Sequence, residues 1–178
     1  MIVLDAILIN NPAEMIPRYA TSLVDELMLS KKQLALAESC TGGMLAKSIT
    51  DVSGASNVFH CGVVSYANEV KANVLGVDAA FLEREGPVNR ETARMMAEGV
   101  LKLGQADIGI GVTGVAGPGP DGDKPEGEIY IALSDGNETY YVDLDTQTSN
   151  RREYNRELAT LNAIALALSY LRHKKEEG

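Results

Sequence analysis

The stretch Gln33-Leu34-Ala35-Leu36-Ala37-Glu38-Ser39-Cys40-Thr41-Gly42-Gly43-Met44-Leu45-Ala46-Lys47-Ser48-Ile49-Thr50 changes its backbone period midway. Residues 33–37 are a short apolar run, residues 38–43 a polar turn with two glycines, and residues 42–50 a helical pattern. The segment therefore reads as strand, turn, helix. That unit is the building block of α/β folds, which collect their functional loops at the carboxyl ends of parallel strands.

The same grammar extends in both directions. Over residues 12–32, Ile16, Tyr19, Ala20, Leu23, Leu27 and Met28 recur at helical spacing, with Pro12 tolerated in the first turn. Residues 61–66 read as a second strand and 68–75 as a short helix closed by Gly76. A third helix is predicted over 87–103, with Asn89 as N-cap and Ala93, Met96, Ala97 and Val100 on one face. Residues 107–113 have a buried-strand pattern, and a Gly/Pro loop follows over 114–127. Residues 129–133 and 139–144 pair as a hairpin across Asp135-Gly136-Asn137. A long Ala/Leu-rich helix covers 150–171, and the tail 174–178 is expected to fray. The apolar run 2–9 carries Asp5 and lacks a basic flank, so it reads as a candidate extra strand rather than a signal peptide or membrane span.

Strands alternating with helices, plus one late hairpin, predict a single α/β domain over residues 1–178. Its architecture is a three-layer α/β/α sandwich on a mixed, mostly parallel sheet. In 178 residues, 45% are hydrophobic, only 5% aromatic and none Trp, so Ala, Val, Ile and Leu must build the core. The net charge of -9 repels polyanions and argues against nucleic acid as a partner. Two cysteines, Cys40 and Cys61, make no disulfide framework and no C-x-x-C pair, which fits reduced thiols in a cytoplasm.

Ser39 lies where strand gives way to helix. The amides of Thr41, Gly42 and Gly43 could face an oxyanion or a phosphate there, aided by the helix dipole. Ser39 is thus a candidate nucleophile; the plainer reading makes Ser39 or Thr41 an N-cap. A serine nucleophile needs a proton acceptor. His173 lies in the charged tail and His60 precedes a strand at the end opposite the turn, so lysine is the alternative. Lys71, one turn into the helix after Tyr66, could return to the same cleft, where burial would depress its pKa. Otherwise it is a solvated helix lysine. Tyr66 could bond Lys71 or a substrate, or stand half-buried. Cys40 is a rival nucleophile, but adjacent side chains diverge at such a turn, which sends the thiol to the core if Ser39 faces the cleft.

The loop from Gly117 to Lys124 is not a Walker A motif, because Asp123 stands where its lysine belongs. Asp121, Asp123, Glu126 and Glu128 lack calcium-loop spacing, and no His/Cys cluster suggests zinc. Arg151, Arg152 and Arg156 could hold one phosphate or form a solvated helix face.

Four motifs in order carry a resemblance: Ala37-Glu38-Ser39-Cys40-Thr41-Gly42-Gly43, Gly62-Val63-Val64-Ser65-Tyr66-Ala67-Asn68-Glu69-Val70-Lys71, Gly86-Pro87-Val88 and Val112-Thr113-Gly114-Val115-Ala116-Gly117-Pro118. Together they resemble the CinA C-terminal domain family, whose characterised members are nicotinamide-nucleotide amidases. The resemblance implies a cytoplasmic enzyme that hydrolyses nicotinamide mononucleotide to nicotinate mononucleotide and ammonia, without metal or organic cofactor. It places the nucleophile at Ser39, its partner at Lys71 and Tyr66 near both. Thr41, Gly42 and Gly43 then serve the oxyanion, Thr113, Gly114 and Gly117 the substrate pocket, and Arg152 and Arg156 the nucleotide phosphate or an adjacent subunit. A homo-oligomer, most simply a dimer, is the expected assembly. The chain departs from the family in one loop. Lys124-Pro125-Glu126-Gly127-Glu128 stands where relatives carry Lys-Pro-Val-Gly-Thr, and the loop is a residue short. Facing the pocket, the two glutamates would weaken a phosphate ligand; facing solvent, they would matter little. The extension 1–11 has no family counterpart. A non-catalytic nucleotide-binding module, or an amidase for another carboxamide, remains an alternative reading.

Overall fold

The computed structural model describes residues 2–176. In chain order the elements are β1 (Ile2–Val3), α1 (Pro12–Ser30), β2 (Leu34–Glu38), α2 (Met44–Thr50), β3 (Phe59–Val64), α3 (Asn68–Leu75), α4 (Ala79–Glu85), α5 (Arg90–Gly104), β4 (Ile108–Gly114), β5 (Glu128–Ser134), β6 (Thr139–Asp145) and α6 (Arg152–Glu176). The strands form one sheet in the order β1-β6-β5-β4-β2-β3. Pairings β1–β6, β2–β3 and β2–β4 are parallel, and the hairpin adds the antiparallel β4–β5 and β5–β6. This is the mixed, mostly parallel α/β sandwich that the alternating pattern predicts.

Strand alternation divides the interior into two cores, because successive side chains face opposite sides of the sheet. Leu34, Leu36, Ile108, Ile110 and Val112 pack against α1, α2 and α6, while Ala35 and Ala37 face Leu75, Leu82, Met96 and Val100 of α3, α4 and α5. Truncating Leu36 or Ile110 to Ala would cost about 2–5 kcal/mol. The glycines of β4 follow from the same alternation: a Cβ on Gly111 would stand 2.3 Å from the Ala93 carbonyl oxygen, so α5 rests directly on strand backbone.

Three elements differ from expectation. β1 covers only Ile2–Val3 of the run 2–9; beyond it Leu4 still donates its amide to the Tyr141 carbonyl at 2.8 Å, after which the chain leaves the sheet. Asn162 then holds residue 7 by both backbone groups, accepting from its N–H at 2.7 Å and donating to its carbonyl at 2.9 Å. The helix α4 was not anticipated, although Asp78 caps it by accepting from the Phe81 amide at 3.0 Å and Gly86 ends it. Finally, the expected fraying of 174–178 gives way to helix as far as Glu176, with Lys174 tied to Glu138 and Lys175 to Glu26; residues 177 and 178 lie outside the described residues.

Candidate active site

β2 is an interior strand with β4 on one side and β3 on the other. Glu38 is in register with Val112 and with Val64, so one residue later Ser39 lies between Thr113 and Ser65 at the carboxyl ends. The three residues are almost fully buried. Gly42 and Gly43 then turn the chain with φ of 58° and 95°, values that L side chains rarely adopt, and start α2.

Glu38 explains the rigidity of this turn. Only 1% exposed, it points toward α2, opposite to Ser39, and its carboxylate accepts the amides of Gly43 at 2.9 Å, Leu45 at 3.1 Å and Ala46 at 2.8 Å. An anion here answers the unpaired N–H groups and the positive end of the helix dipole together. Arg156 grips the turn from the other side, donating to the carbonyls of Cys40 at 3.2 Å and Thr41 at 2.7 Å. Sequence reasoning gave Glu38 no role; a carboxylate at a strand end directly before a helix start was the available signal.

Lys71 enters the same space from α3 and is 1% exposed. Its Nζ lies 3.1 Å from Ser39 Oγ, 2.8 Å from the Ser65 carbonyl oxygen and 3.1 Å from the Tyr66 carbonyl oxygen. Burial holds the amine below the ordinary lysine range, because the charged form loses its water. A neutral amine has two N–H donors and one lone pair. With both donors on the carbonyls, the lone pair is left for the Ser39 hydroxyl, whose O–H can donate to it.

The neighbouring groups sort themselves against this pair. Cys40 is buried on the other side of the turn, and desolvation pushes its thiol up to about 12, which keeps it protonated. Gly42 donates its amide to the Ser39 carbonyl at 3.1 Å and Gly43 to Glu38, so two of the three amides assigned to an oxyanion are engaged within the turn. The Thr41 amide makes no such bond among the described residues. The Thr41 and Ser65 hydroxyls are buried without a partner there, an uncommon condition that leaves polar capacity beside Ser39.

Tyr66 contributes its backbone to Lys71 rather than its ring: the side chain is 61% exposed and its hydroxyl meets an Arg152 guanidinium nitrogen at 3.2 Å. Arg152 also donates to the Gly117 carbonyl. Both Arg152 and Arg156 thus border the site, while Arg151 turns away to stack 4.1 Å from the Tyr154 ring centroid. Thr113 donates its hydroxyl to the Pro87 carbonyl at 2.8 Å, which ties two of the sequence motifs together. Gly114 serves packing, since a Cβ there would lie 2.6 Å from Ile129.

Glu126 faces neither the pocket nor solvent, contrary to both expectations. It is 8% exposed, and its carboxylate accepts the amides of Gly119 at 2.8 Å, Asn150 at 3.1 Å and Arg151 at 2.8 Å, with the Asn155 side-chain amide at 3.3 Å. These donors, the Arg151 amide foremost, hold its carboxyl below the usual carboxylate range. A Cβ on Gly117 would stand 2.3 Å from the Glu126 carboxyl carbon, so that glycine makes room for the clasp. Glu128 accepts from Lys124 at 3.0 Å and from the Tyr130 hydroxyl at 2.7 Å. No group of three or more metal-ligating side chains is found among the described residues, and no helix there is long and apolar enough to cross a membrane.

Comparison with known proteins shows the family. A family model described as CinA C-terminal domain matches residues 17–171. A Thermoanaerobacter sp. (strain X514) relative, whose name carries the words competence-damage inducible protein, is 48% identical over 150 residues, which are 84% of this chain and 36% of the relative. The chain spans about a third of the length of such curated relatives. Among solved structures, the competence/damage inducible protein CihA from Agrobacterium tumefaciens superposes with a TM-score of 0.83 at 30% identity, covering 93% of this chain and 99% of that one. A competence-damaged protein (CinA) superfamily protein from Escherichia coli gives a TM-score of 0.84 at 27% identity over 92% of this chain and 94% of that one. The chain belongs to the CinA C-terminal domain family.

Proposed function

We propose that the chain is an amidohydrolase that converts nicotinamide mononucleotide to nicotinate mononucleotide and ammonia, with Ser39 as nucleophile and Lys71 as base. The observation that carries this reading is the buried Lys71 amine, held by two carbonyls and aimed at Ser39 Oγ across 3.1 Å. The substrate follows from the family resemblance.

Lys71 takes the Ser39 proton as Oγ attacks the carboxamide carbon, and the carbonyl oxygen becomes an oxyanion. The Thr41 amide, which has no other bond among the described residues, is the donor available to stabilise it, a contribution of about 3 kcal/mol for a well-aligned donor. The Lys71 ammonium then gives its proton to the nitrogen, the C–N bond breaks, ammonia leaves, and Ser39 carries a nicotinoyl ester. Water, deprotonated by Lys71, adds to the ester; its collapse releases nicotinate mononucleotide and returns the proton to Ser39. Arg152, at the rim beside Tyr66, is the cation available to the nucleotide phosphate.

The test is ammonia release from nicotinamide mononucleotide by the purified protein without added metal. Ser39→Ala and Lys71→Ala should each abolish it while leaving the fold intact by circular dichroism. Because the lysine must be neutral, the rate should rise with pH through the Lys71 pKa, which lies below the ordinary 10.5. Full activity in Ser39→Ala overturns the mechanism. An inactive wild type that still binds the nucleotide identifies a binding module instead.

A further inference from the structure

Far from Ser39, α1 and the second half of α6 border an open cavity of about 420 Å³. Its apolar lining includes Ile7, Met15, Tyr19 and Leu168, and Arg18 and Arg172 stand at the same space from the two helices. Two further cavities, of about 360 and 260 Å³, adjoin it through Ser169. Arg172 lies sixteen helical steps beyond Arg156 on α6, about 24 Å at the helical rise, so this space is independent of the candidate active site.

The charges are what make the cavity unusual. In a chain of net charge -9, neither Arg18 nor Arg172 has a hydrogen bond or carboxylate partner among the described residues. Nearby cations are matched: Lys174 pairs with Glu138 and Lys175 with Glu26. Both arginines are exposed at the margin of one apolar space, and an anion shared between them makes charge-assisted hydrogen bonds to each. Three of the cavity's nine lining residues, Ile7, Met15 and Arg172, lie outside residues 17–171, the part matched by the family model.

We propose that this cavity binds a small organic anion with an aliphatic body, its carboxylate held between Arg18 and Arg172 and its chain laid against Ile7, Met15, Tyr19 and Leu168. Apolar walls with a few converging polar groups, in a volume of several hundred Å³, are the usual makeup of a small-molecule site. Neither partner alone suffices: the chain supplies buried apolar area, and the carboxylate supplies direction.

Calorimetric titration of the full chain with octanoate tests this, with octanol and acetate as controls lacking one half of the recognition. Octanoate should saturate one site, and each control should bind at least tenfold more weakly. Arg18→Gln and Arg172→Gln should each weaken octanoate about tenfold, or 1.4 kcal/mol. Ile7→Trp, which fills the space but keeps both cations, should abolish binding. No saturable octanoate binding, octanol binding as well as octanoate, or unchanged affinity in the arginine double variant overturns the proposal. The readout is binding, so it stands or falls apart from amide hydrolysis, and the arginine variants should release ammonia from nicotinamide mononucleotide at the wild-type rate.

Discussion

The turn 38–43 and the loop 114–127 border one site and are each organised by one buried carboxylate, but the two carboxylates work over different distances. Glu38 accepts amides five, seven and eight residues further along, so the turn is a local device that one strand end and one helix start suffice to build. Glu126 reaches seven residues back to Gly119 and 24 and 25 residues forward to Asn150 and Arg151. It is a clasp between a loop and a distant helix. The comparison separates what holds Ser39 from what holds the loop at the rim of the site.

Breaking the local device should have the largest effect. Glu38→Ala leaves three amides at the start of α2 without their acceptor, which should cost about 3 kcal/mol or more in urea denaturation and lower ammonia release at least a hundredfold. An active, stable Glu38→Ala protein would mean that Arg156 alone fixes the turn. Breaking the clasp should be milder and fall on a different kinetic parameter. Glu126→Ala loosens the loop and the start of α6, where Arg152 stands, while the Ser39–Lys71 contact remains. KM for nicotinamide mononucleotide should therefore rise several-fold while kcat stays within about threefold. An equal loss in kcat would place the clasp in the chemistry itself.

The clasp can also be opened with acid. A carboxylate held below its unfolded value, here near 4.5, stabilises the fold fully above that value and loses the contribution as pH falls through its folded pKa. Thermal unfolding from pH 6 to 3 should accordingly be less pH-sensitive in Glu126→Gln than in the wild type. The smallest effect is expected at Cys40. Its thiol is protonated and faces the core, so Cys40→Ala should keep the rate within about twofold. A large loss would return the thiol to candidacy as nucleophile.

Locality also decides what could be read from the chain before folding. The strand, turn and helix around Ser39, the Asn89 cap and the hairpin each depend on neighbours in sequence, and each stands where the pattern puts it; Asn89 accepts the Thr92 amide at 2.8 Å. The return of Lys71 to Ser39 was legible because β3 and α3 form one short unit beside β2. Glu126 was not, since nothing within the loop reveals amides that arrive from the start of α6. Nor was the grip of Arg156 on the turn, because its two carbonyl acceptors lie 115 and 116 residues away. The helix α4 was not legible for another reason: its seven residues, Ala79–Glu85, carry too little periodicity, and only the Asp78 cap marked it.

The placement of β3 has one more consequence. Ser39 belongs to a strand bonded on both sides, whereas Lys71 belongs to the unit that hangs from the outermost strand, where Val64 is 49% exposed. Units at a sheet margin open at lower free energy than those at its centre, so backbone amides of β3 and α3 should exchange with deuterium before those of β2 and β4. On warming, the protein should let go of Lys71 while Ser39 is still in place, and loss of ammonia release should begin below the temperature at which the fold itself melts.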